Sequence, residues 1–258
     1  MLTLGISPCP NDTFVFHALA DRYRLVLDDV EALNARAEQG ELELTKISVA
    51  ACGLLRDRYA LLRAGGAAGF GVGPLLVATR PGAPGRRVAI PGTRTTAALL
   101  LRLLGNFETV PMRFDLIEQA VLDGHVDAGV LIHEGRFTYQ QKGLVKLADL
   151  GEVWETRMRC PLPLGAIAIR RDLGPDVARR VDDEIRASLR AAWESPDASA
   201  DFVREHAQEM APEVAAQHIA LYVNHYTLDL DVNAVERLVR LGEESGLYPA
   251  SPLPLFAY

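Results

Sequence analysis

The chain has 258 residues, of which 49% are hydrophobic and 24% are charged. This composition is typical of a globular protein and excludes disordered, collagen-like and fibrous chains. The formal net charge of −7 argues against a general nucleic-acid binder, which needs a basic face to release counterions. The apolar runs are far shorter than the roughly 20 residues of a membrane span, so we expect no membrane insertion.

The N-terminal segment 1–8 has neither a basic region nor a sustained apolar stretch, which favours a cytoplasmic protein over a secreted one. Three cysteines at unrelated spacings, in a chain long enough to bury a core, predict thiols without disulfides: Cys9, Cys52 and Cys160. Between positions 54 and 113, nine arginines stand against two acidic residues, a local excess of +7. Such a segment attracts anionic small molecules, although a solvated surface is the ordinary role of such charges.

Short β-branched runs alternate with amphipathic stretches along the chain, and this alternation predicts an α/β fold. The predicted elements, in chain order, are a strand at 2–6, a helix at 14–20, a strand at 24–30, a helix at 31–39, a strand at 42–47, a helix at 48–55, strands at 74–79 and 87–90, a helix at 97–104, a strand at 112–114, a helix at 116–123, strands at 126–132 and 165–169, and helices at 176–193 and 234–244. Gly40 follows the second helix where a glycine commonly ends helices.

A segment rich in proline and glycine at 80–85 is followed by a restart of the pattern of strand, loop and helix, which indicates a second domain. We therefore expect two α/β lobes. The first takes residues 1–73 and 175–258, including the helical C-terminus, and the second takes residues 74–174. The ligand is expected between the lobes, because α/β folds bind ligands at domain interfaces and at the carboxyl ends of parallel strands.

Polar residues follow several predicted strands, at points where helices begin. Helix N-termini offer unpaired N–H groups and a partial positive charge, which hold carboxylate or carbonyl oxygens without a metal. Each of these residue types is also an ordinary helix cap, so capping alone is the alternative at every position. The candidates are Asn11, Asp12, Thr13, Ser48, Thr95 and Thr96.

His133 follows the predicted strand at 126–132, with Glu134 next in the sequence. A neutral imidazole at the end of a buried strand takes up a proton at physiological pH, so His133 is the candidate general base. The alternative is a structural hydrogen bond. The zinc patterns H-E-x-x-H and paired C-x-x-C, the phosphate loop and the G-x-S-x-G elbow do not occur in the sequence. Zinc, phosphate-loop and serine-nucleophile chemistries are therefore weakly supported.

Six segments carry a resemblance to a known family: 7–14 (SPCPNDTF), 44–48 (LTKIS), 71–75 (GVGPL), 91–97 (PGTRTTA), 132–139 (IHEGRFTY) and 162–166 (LPLGA). Together they resemble the 1,4-dihydroxy-6-naphthoate synthases of the futalosine route to menaquinone. The resemblance implies a two-lobed fold similar to type II periplasmic binding proteins. It also implies a lyase that splits cyclic dehypoxanthine futalosine into 1,4-dihydroxy-6-naphthoate and a sugar-derived fragment, without cofactor.

The same resemblance implies roles for individual residues. His133 corresponds to the proposed base of the family. The implied substrate-binding residues are Ser48, Thr95 and Thr96, which line the pocket, and Asn11, Asp12 and Thr13, which lie beside it. Apart from the resemblance, Arg94 and Arg136 are the two side-chain candidates for holding the carboxylate of the anionic substrate, with backbone N–H groups as the alternative. For either arginine, a role at the interface between the lobes also stays open. We expect the protein to work as a monomer or a homodimer.

Two other functions stay open at this point. The first is chorismate dehydratase, an enzyme of the same pathway with the same fold, against which the segment at 7–14 argues. The second is a solute-binding protein that sequesters a small anion. A binding protein releases its ligand unchanged, whereas the lyase produces a new chromophore.

Overall fold

The computed structural model describes residues 1–207 and 211–258. Its strands are β1 (Thr3–Ile6), β2 (Arg24–Leu27), β3 (Leu44–Ser48), β4 (Tyr59–Leu61), β5 (Ala67–Gly69), β6 (Leu75–Ala78), β7 (Arg87–Ile90), β8 (Glu108–Pro111), β9 (Ala128–Leu131), β10 (Val145–Asp149) and β11 (Leu162–Arg170). Its α-helices are α1 (Pro10–Phe16), α2 (Val30–Gln39), α3 (Cys52–Leu55), α4 (Thr96–Leu101), α5 (Ile117–Leu122), α6 (Gly135–Thr138), α7 (Leu150–Met158), α8 (Gly174–Glu194), α9 (Pro196–His206), α10 (Pro212–Tyr222), α11 (His225–Leu228) and α12 (Val232–Glu244). Short 3₁₀ helices are His17–Leu19, Val49–Ala51, Phe114–Leu116, Tyr139–Lys142 and Arg171–Leu173.

The chain divides into two units, each with its own sheet. The first unit comprises Met1–Gly69 and Pro163–Tyr258, and the second comprises Phe70–Leu162. The α/β class is as predicted. The two units divide at 69/70 and 162/163, whereas the sequence analysis places the boundaries at 73/74 and 174/175. The second boundary moves because β11 pairs with β3 and β4, which makes residues 163–174 part of the first unit.

The sheet of the first unit has the order β2-β1-β3-β11-β4, and β5 also pairs with β11. Strands β1, β2 and β3 are parallel, and β11 runs antiparallel to β3 and β4. The carboxyl ends of β1 and β3 therefore lie at the same edge of this sheet. The prediction missed β4 and β5, which have only three residues each.

The core of the first unit packs helices against this sheet. Helix α8 buries Val181, Ile185 and Leu189, which are spaced four residues apart on one stripe. These side chains share a cluster with strand residues such as Ile6 and Ile167. Burial of such side chains is the main stabilising contribution of the unit, at roughly 1.5 to 3 kcal/mol for each large one.

The sheet of the second unit has the order β10-β6-β9-β7-β8. Strand β7 is parallel to β8 and β9, whereas β6 is antiparallel to β9 and β10. The carboxyl ends of β7 and β9 therefore meet at one edge. The prediction missed β10 and α7, and it placed β8 at 112–114, although the strand lies at Glu108–Pro111.

Helix α1 begins at Pro10, earlier than the predicted start at Phe14. Proline fits the first helical position because its fixed φ is helical and its missing N–H would be unpaired there. As a result, Asn11, Asp12 and Thr13 lie in the first turns of a helix and not in a loop.

Gly40 ends α2 with a left-handed φ of 71°, as predicted. In residues 1–207 and 211–258, no helix is long and apolar enough to cross a membrane. The prediction of cysteines without disulfides is confirmed, since none of the three is disulfide-bonded.

Candidate active site

In the first unit, Ser48 lies at the carboxyl end of β3 and is 3% exposed. The fully buried Asn34 of α2 holds it in two ways. The Asn34 Nδ2 group donates to Ser48 Oγ at 3.1 Å, and Asn34 Oδ1 accepts from the Ser48 backbone N–H at 2.9 Å. Ser48 makes no side-chain cap to the 3₁₀ helix that follows, so the capping alternative is wrong here. Because its oxygen accepts from Asn34, the Ser48 hydroxyl is set up to donate its proton elsewhere.

A buried ion pair lies at the same edge of this sheet. Lys46 Nζ is 2.6 Å from Asp12 Oδ1, and the two side chains are 6% and 1% exposed. The Asp12 carboxylate also accepts from the backbone N–H of Ser7 at 3.1 Å, from Ser7 Oγ at 2.6 Å and from Asn11 Nδ2 at 2.9 Å. Four donors thus compensate this buried charge, which would otherwise be costly.

The three polar residues at the start of α1 have different surroundings. The Thr13 hydroxyl faces the Cys9 and Pro10 carbonyl oxygens at 3.0 and 3.2 Å, so it is engaged by the backbone of its own helix. Asp12 is saturated by the donors above. Asn11 is 8% exposed, and its amide nitrogen is bound to Asp12 while its carbonyl oxygen takes part in no such bond among the described residues.

In the second unit, Thr95 and Thr96 begin α4 after β7, and both are 3% exposed. The Thr95 side chain is the cap of this helix. Its oxygen accepts from the Ala98 N–H at 3.1 Å, and its hydroxyl donates to the Gly92 carbonyl at 2.9 Å. The capping alternative therefore describes Thr95, whose one hydroxyl proton is already used.

His133 follows β9 with a backbone φ of +56°. This left-handed conformation is uncommon for residues other than glycine and costs of order 1 to 3 kcal/mol, and such strain clusters at functional sites. The imidazole packs edge-on against Phe114, with ring centroids 4.7 Å apart. Phe114 follows β8, which is separated from β9 by β7 in the sheet, so residues that follow two different strands meet at the candidate base.

Glu134 is the partly buried neighbour of His133 in the sequence. Burial raises the pKa of its carboxyl, and the nearby Glu118 raises it further. The cationic Lys142, which forms an ion pair with Glu118, opposes this shift. The second unit thus holds a carboxyl with an increased affinity for protons beside the candidate base.

Arg136, one of the two candidates for the substrate carboxylate, is already engaged within the second unit. Its guanidinium donates to the Gly73 carbonyl and to Asp149, whose Oδ2 lies 3.1 Å away. The other oxygen of Asp149 caps α7 through the Gly151 and Glu152 N–H groups. This arrangement favours a structural role for Arg136.

The chain shows similarity to proteins of known function over almost its whole length. The model of a menaquinone-biosynthesis family matches residues 2–244. Proteins of Thermus thermophilus and Streptomyces coelicolor, both named 1,4-dihydroxy-6-naphthoate synthase, are each 48% identical to it over 268 aligned positions. These alignments cover 99% and 96% of the chain, and 98% and 95% of the two relatives.

The chain belongs to the menaquinone-biosynthesis family. Identity at this level over nearly the full length makes it an enzyme of the same kind as these two family members, as the sequence motifs indicated.

Solved structures agree with this family membership. An Archaeoglobus fulgidus protein superposes with a TM-score of 0.90 and 39% identity, over 95% of this chain and 98% of that one. The periplasmic aliphatic sulphonate binding protein of Escherichia coli superposes with a TM-score of 0.65 over 98% and 90% of the two chains. At 11% identity, the latter shows the fold alone. The predicted periplasmic-binding-protein-like fold is confirmed for this member of the menaquinone-biosynthesis family.

Sequence reasoning missed the residues that hold the others in place. Asn34 had a weak signal, since asparagine is a poor helix former and occurs here next to the buried Leu33. Lys46 had a stronger one, because a charged residue interrupts the apolar strand β3. Ser7 belongs to a motif that was recognised, but no role was assigned to it.

Proposed function

We propose that the protein is a lyase that converts cyclic dehypoxanthine futalosine into 1,4-dihydroxy-6-naphthoate, with His133 as the general base. The observation that carries this proposal is the 48% identity to two proteins named for this product. The strained backbone of His133 and its place after β9 support the assignment of the base.

The proposed reaction breaks a bond to a carbocyclic ring, which then becomes aromatic. A proton must leave a carbon or a hydroxyl group while negative charge develops on a neighbouring oxygen. A neutral histidine accepts such a proton, and hydroxyl or N–H donors stabilise the developing charge. This chemistry requires no metal and no organic cofactor.

The predicted substrate-binding residues differ in whether their side chains keep a hydrogen-bonding atom that no internal bond uses. We propose that Ser48 and Asn11 contact the substrate directly, since each keeps an atom that internal hydrogen bonds do not use. Thr95 and Thr96 contribute the start of α4. The two remaining candidates, Asp12 and Thr13, shape the start of α1. Arg94 is the proposed partner of the substrate carboxylate.

We further propose that the enzyme works in the cytoplasm, as a monomer or a homodimer, on an anionic small molecule. The biosynthetic role of its family supports this location, because small pathway intermediates are made and consumed there. Cell fractionation followed by immunodetection tests the location, and sedimentation of the purified protein tests the oligomeric state.

The deciding experiment incubates the purified protein with cyclic dehypoxanthine futalosine in the presence of a chelator. The product is followed by chromatography and mass spectrometry. We expect 1,4-dihydroxy-6-naphthoate to appear. Recovery of tightly bound, unaltered substrate would instead indicate a binding protein, and the absence of binding would direct the next assay to chorismate.

The role of His133 is tested with His133→Asn, because asparagine tolerates a positive φ better than alanine does. Loss of the general base lowers kcat by about 10²- to 10⁴-fold while the fold survives. The matched control is His125→Asn, which changes an exposed histidine of the same unit and leaves kcat unchanged. Full turnover by a folded His133→Asn variant would refute the assignment.

A further inference from the structure

We infer that the buried ion pair of Lys46 and Asp12 orients the side-chain amide of Asn11, and that its carbonyl oxygen thereby accepts a hydrogen bond from a substrate hydroxyl. This inference rests on the proposed function. Lys46 and Asp12 act through Asn11 and are positioning residues. Asn11 is the residue that touches the substrate.

The ion pair is poorly explained by stability alone. Taking two charges out of water carries a large desolvation penalty, and well-packed apolar residues often replace buried ion pairs without loss of stability. Lys46 and Asp12 are 6% and 1% exposed, and they connect β3 with the start of α1. This pair lies at the same edge of the sheet as Ser48. Its presence there indicates that side chains at this edge must be held in a fixed orientation.

The hydrogen bonds around Asp12 leave Asn11 one orientation. Asp12 Oδ1 accepts from Asn11 Nδ2 at 2.9 Å and from Lys46 Nζ at 2.6 Å. A flip of the Asn11 amide would place its own oxygen against the carboxylate, where two acceptors face each other. As long as Lys46 and Asn11 Nδ2 both donate to Asp12 Oδ1, the Asn11 carbonyl oxygen points away from the carboxylate.

Lys46 is itself held in place. Its ammonium group also donates to the Gly65 carbonyl at 3.2 Å. Its aliphatic stem passes close to Gly165 on β11, where an added Cβ would lie 3.0 Å from Lys46 Cε. The ammonium group is thus held by α1 and by the turn that contains Gly65, and the aliphatic stem lies against β11.

The two polar groups that remain at this edge have opposite polarity. Asn11 offers an acceptor, and Ser48 offers a donor because its oxygen already accepts from Asn34. The matching ligand chemistry is a hydroxyl group opposite Asn11 and a carbonyl or carboxylate oxygen opposite Ser48. This polarity distinguishes a hydroxylated substrate from an apolar ring of the same size.

The orientation of the amide is tested without any substrate. In nitrogen-15 NMR spectra, the Asn11 side-chain amide signal is assigned by its absence from Asn11→Ala. We expect slow exchange of its protons with water in the unchanged protein and fast exchange in Lys46→Met. A signal whose exchange is the same in both proteins overturns the inference.

The functional part is tested by a double-mutant cycle on the turnover of cyclic dehypoxanthine futalosine. Loss of one oriented hydrogen bond raises KM about tenfold in Lys46→Met, with kcat largely kept. In an Asn11→Ala background the same substitution has no further effect, because residues that act as a unit are not additive. Losses that multiply, or a KM within about twofold of the unchanged protein, overturn the inference.

Arg186→Met is the matched control, since Arg186 forms an ion pair with the fully buried Asp182 at 2.9 Å in the same unit. It reports what loss of a buried pair does to folding, and it leaves KM and the Asn11 signal unchanged. If Lys46→Met does not fold, Ser7→Ala replaces it, because Ser7 Oγ holds the other oxygen of Asp12. If the unchanged protein shows no turnover, the proposed function fails, and the NMR measurement still decides the orientation.

Discussion

His133 contributes both an imidazole and a residue in the left-handed backbone conformation, and the sequence shows only the first of these. Histidine, like asparagine and aspartate, enters this region more readily than most residues with a Cβ. The strain is balanced by the packing of the ring on Phe114 and by the helix that starts at Gly135. A residue at position 133 must therefore tolerate a positive φ in addition to carrying the base. A substitution that tests catalysis must keep this backbone conformation.

Glu134 makes the stability of the protein depend on pH. Burial raises the pKa of its carboxyl above the ordinary value of 4.5, so the folded state binds this proton more tightly than the unfolded state. The resulting destabilisation is absent at low pH and develops as pH rises from the unfolded towards the folded pKa. Glu134→Gln removes the charge, and we expect a larger free energy of unfolding than in the unchanged protein at pH 8.

Urea unfolding at pH 4 and pH 8 measures this difference, which should shrink towards pH 4. Glu152→Gln is the control, because the Glu152 side chain is 67% exposed, and it should show no such trend. A gain from Glu134→Gln that is equal at both pH values would contradict the explanation.

At the residue scale, the sequence identified the groups whose types carry chemistry. His133 follows a strand as predicted, Ser48 is the last residue of β3 and not the first after it, and the motif at 7–14 led to Asn11. Asn34 and Lys46 escaped because their importance depends on partners distant in the sequence: Ser48 for Asn34, and Asp12 for Lys46. Such pairings are created by the tertiary fold, and no local pattern contains them.

At the scale of elements, Thr95 shows how a cap supports a candidate binding segment. Its oxygen satisfies the Ala98 N–H, so Thr95→Ala should lower the free energy of unfolding by about 1 kcal/mol. Thr95→Ser keeps the hydroxyl and should retain most of the stability. Denaturant titration of the three proteins tests this, and equal stability of the alanine and serine variants would exclude a capping role.

The errors in element boundaries have physical causes as well. The first helix was predicted to begin at position 14, yet Pro10 at the first helical position begins α1, so Asn11, Asp12 and Thr13 lie within the helix. Strands β4 and β5 were missed because three residues show no periodicity. Their pairing depends on β11, a strand about one hundred residues later in the sequence.

At the scale of the whole molecule, the alternation of strands and helices predicted the α/β class. The same alternation does not indicate to which unit β11 belongs. The second unit is one continuous segment with its own sheet and apolar cluster. We therefore expect a fragment of residues 70–162 to fold alone and to unfold cooperatively, with an enthalpy of about 60 to 80 kcal/mol for a domain of this size. Calorimetry and NMR dispersion test this.

The matched fragment of residues 1–69 should stay unfolded, because it lacks the strand that lies between β3 and β4. A folded 1–69 fragment would contradict this reading of the sheet, and an unfolded 70–162 fragment would contradict the autonomy of the second unit.

The position of β11 also sets an order for biosynthesis on the ribosome. All of residues 70–162 are synthesised before most of β11. The second unit can therefore form its sheet while β3 and β4 still lack β11, the strand that lies between them. Nascent chains of this protein should therefore protect the middle of the sequence from proteolysis first, and the N-terminal segment only after β11 has emerged from the exit tunnel. Most chains fold from the N-terminal domain first during synthesis. We expect this chain to fold residues 70–162 first and the flanking segments afterwards.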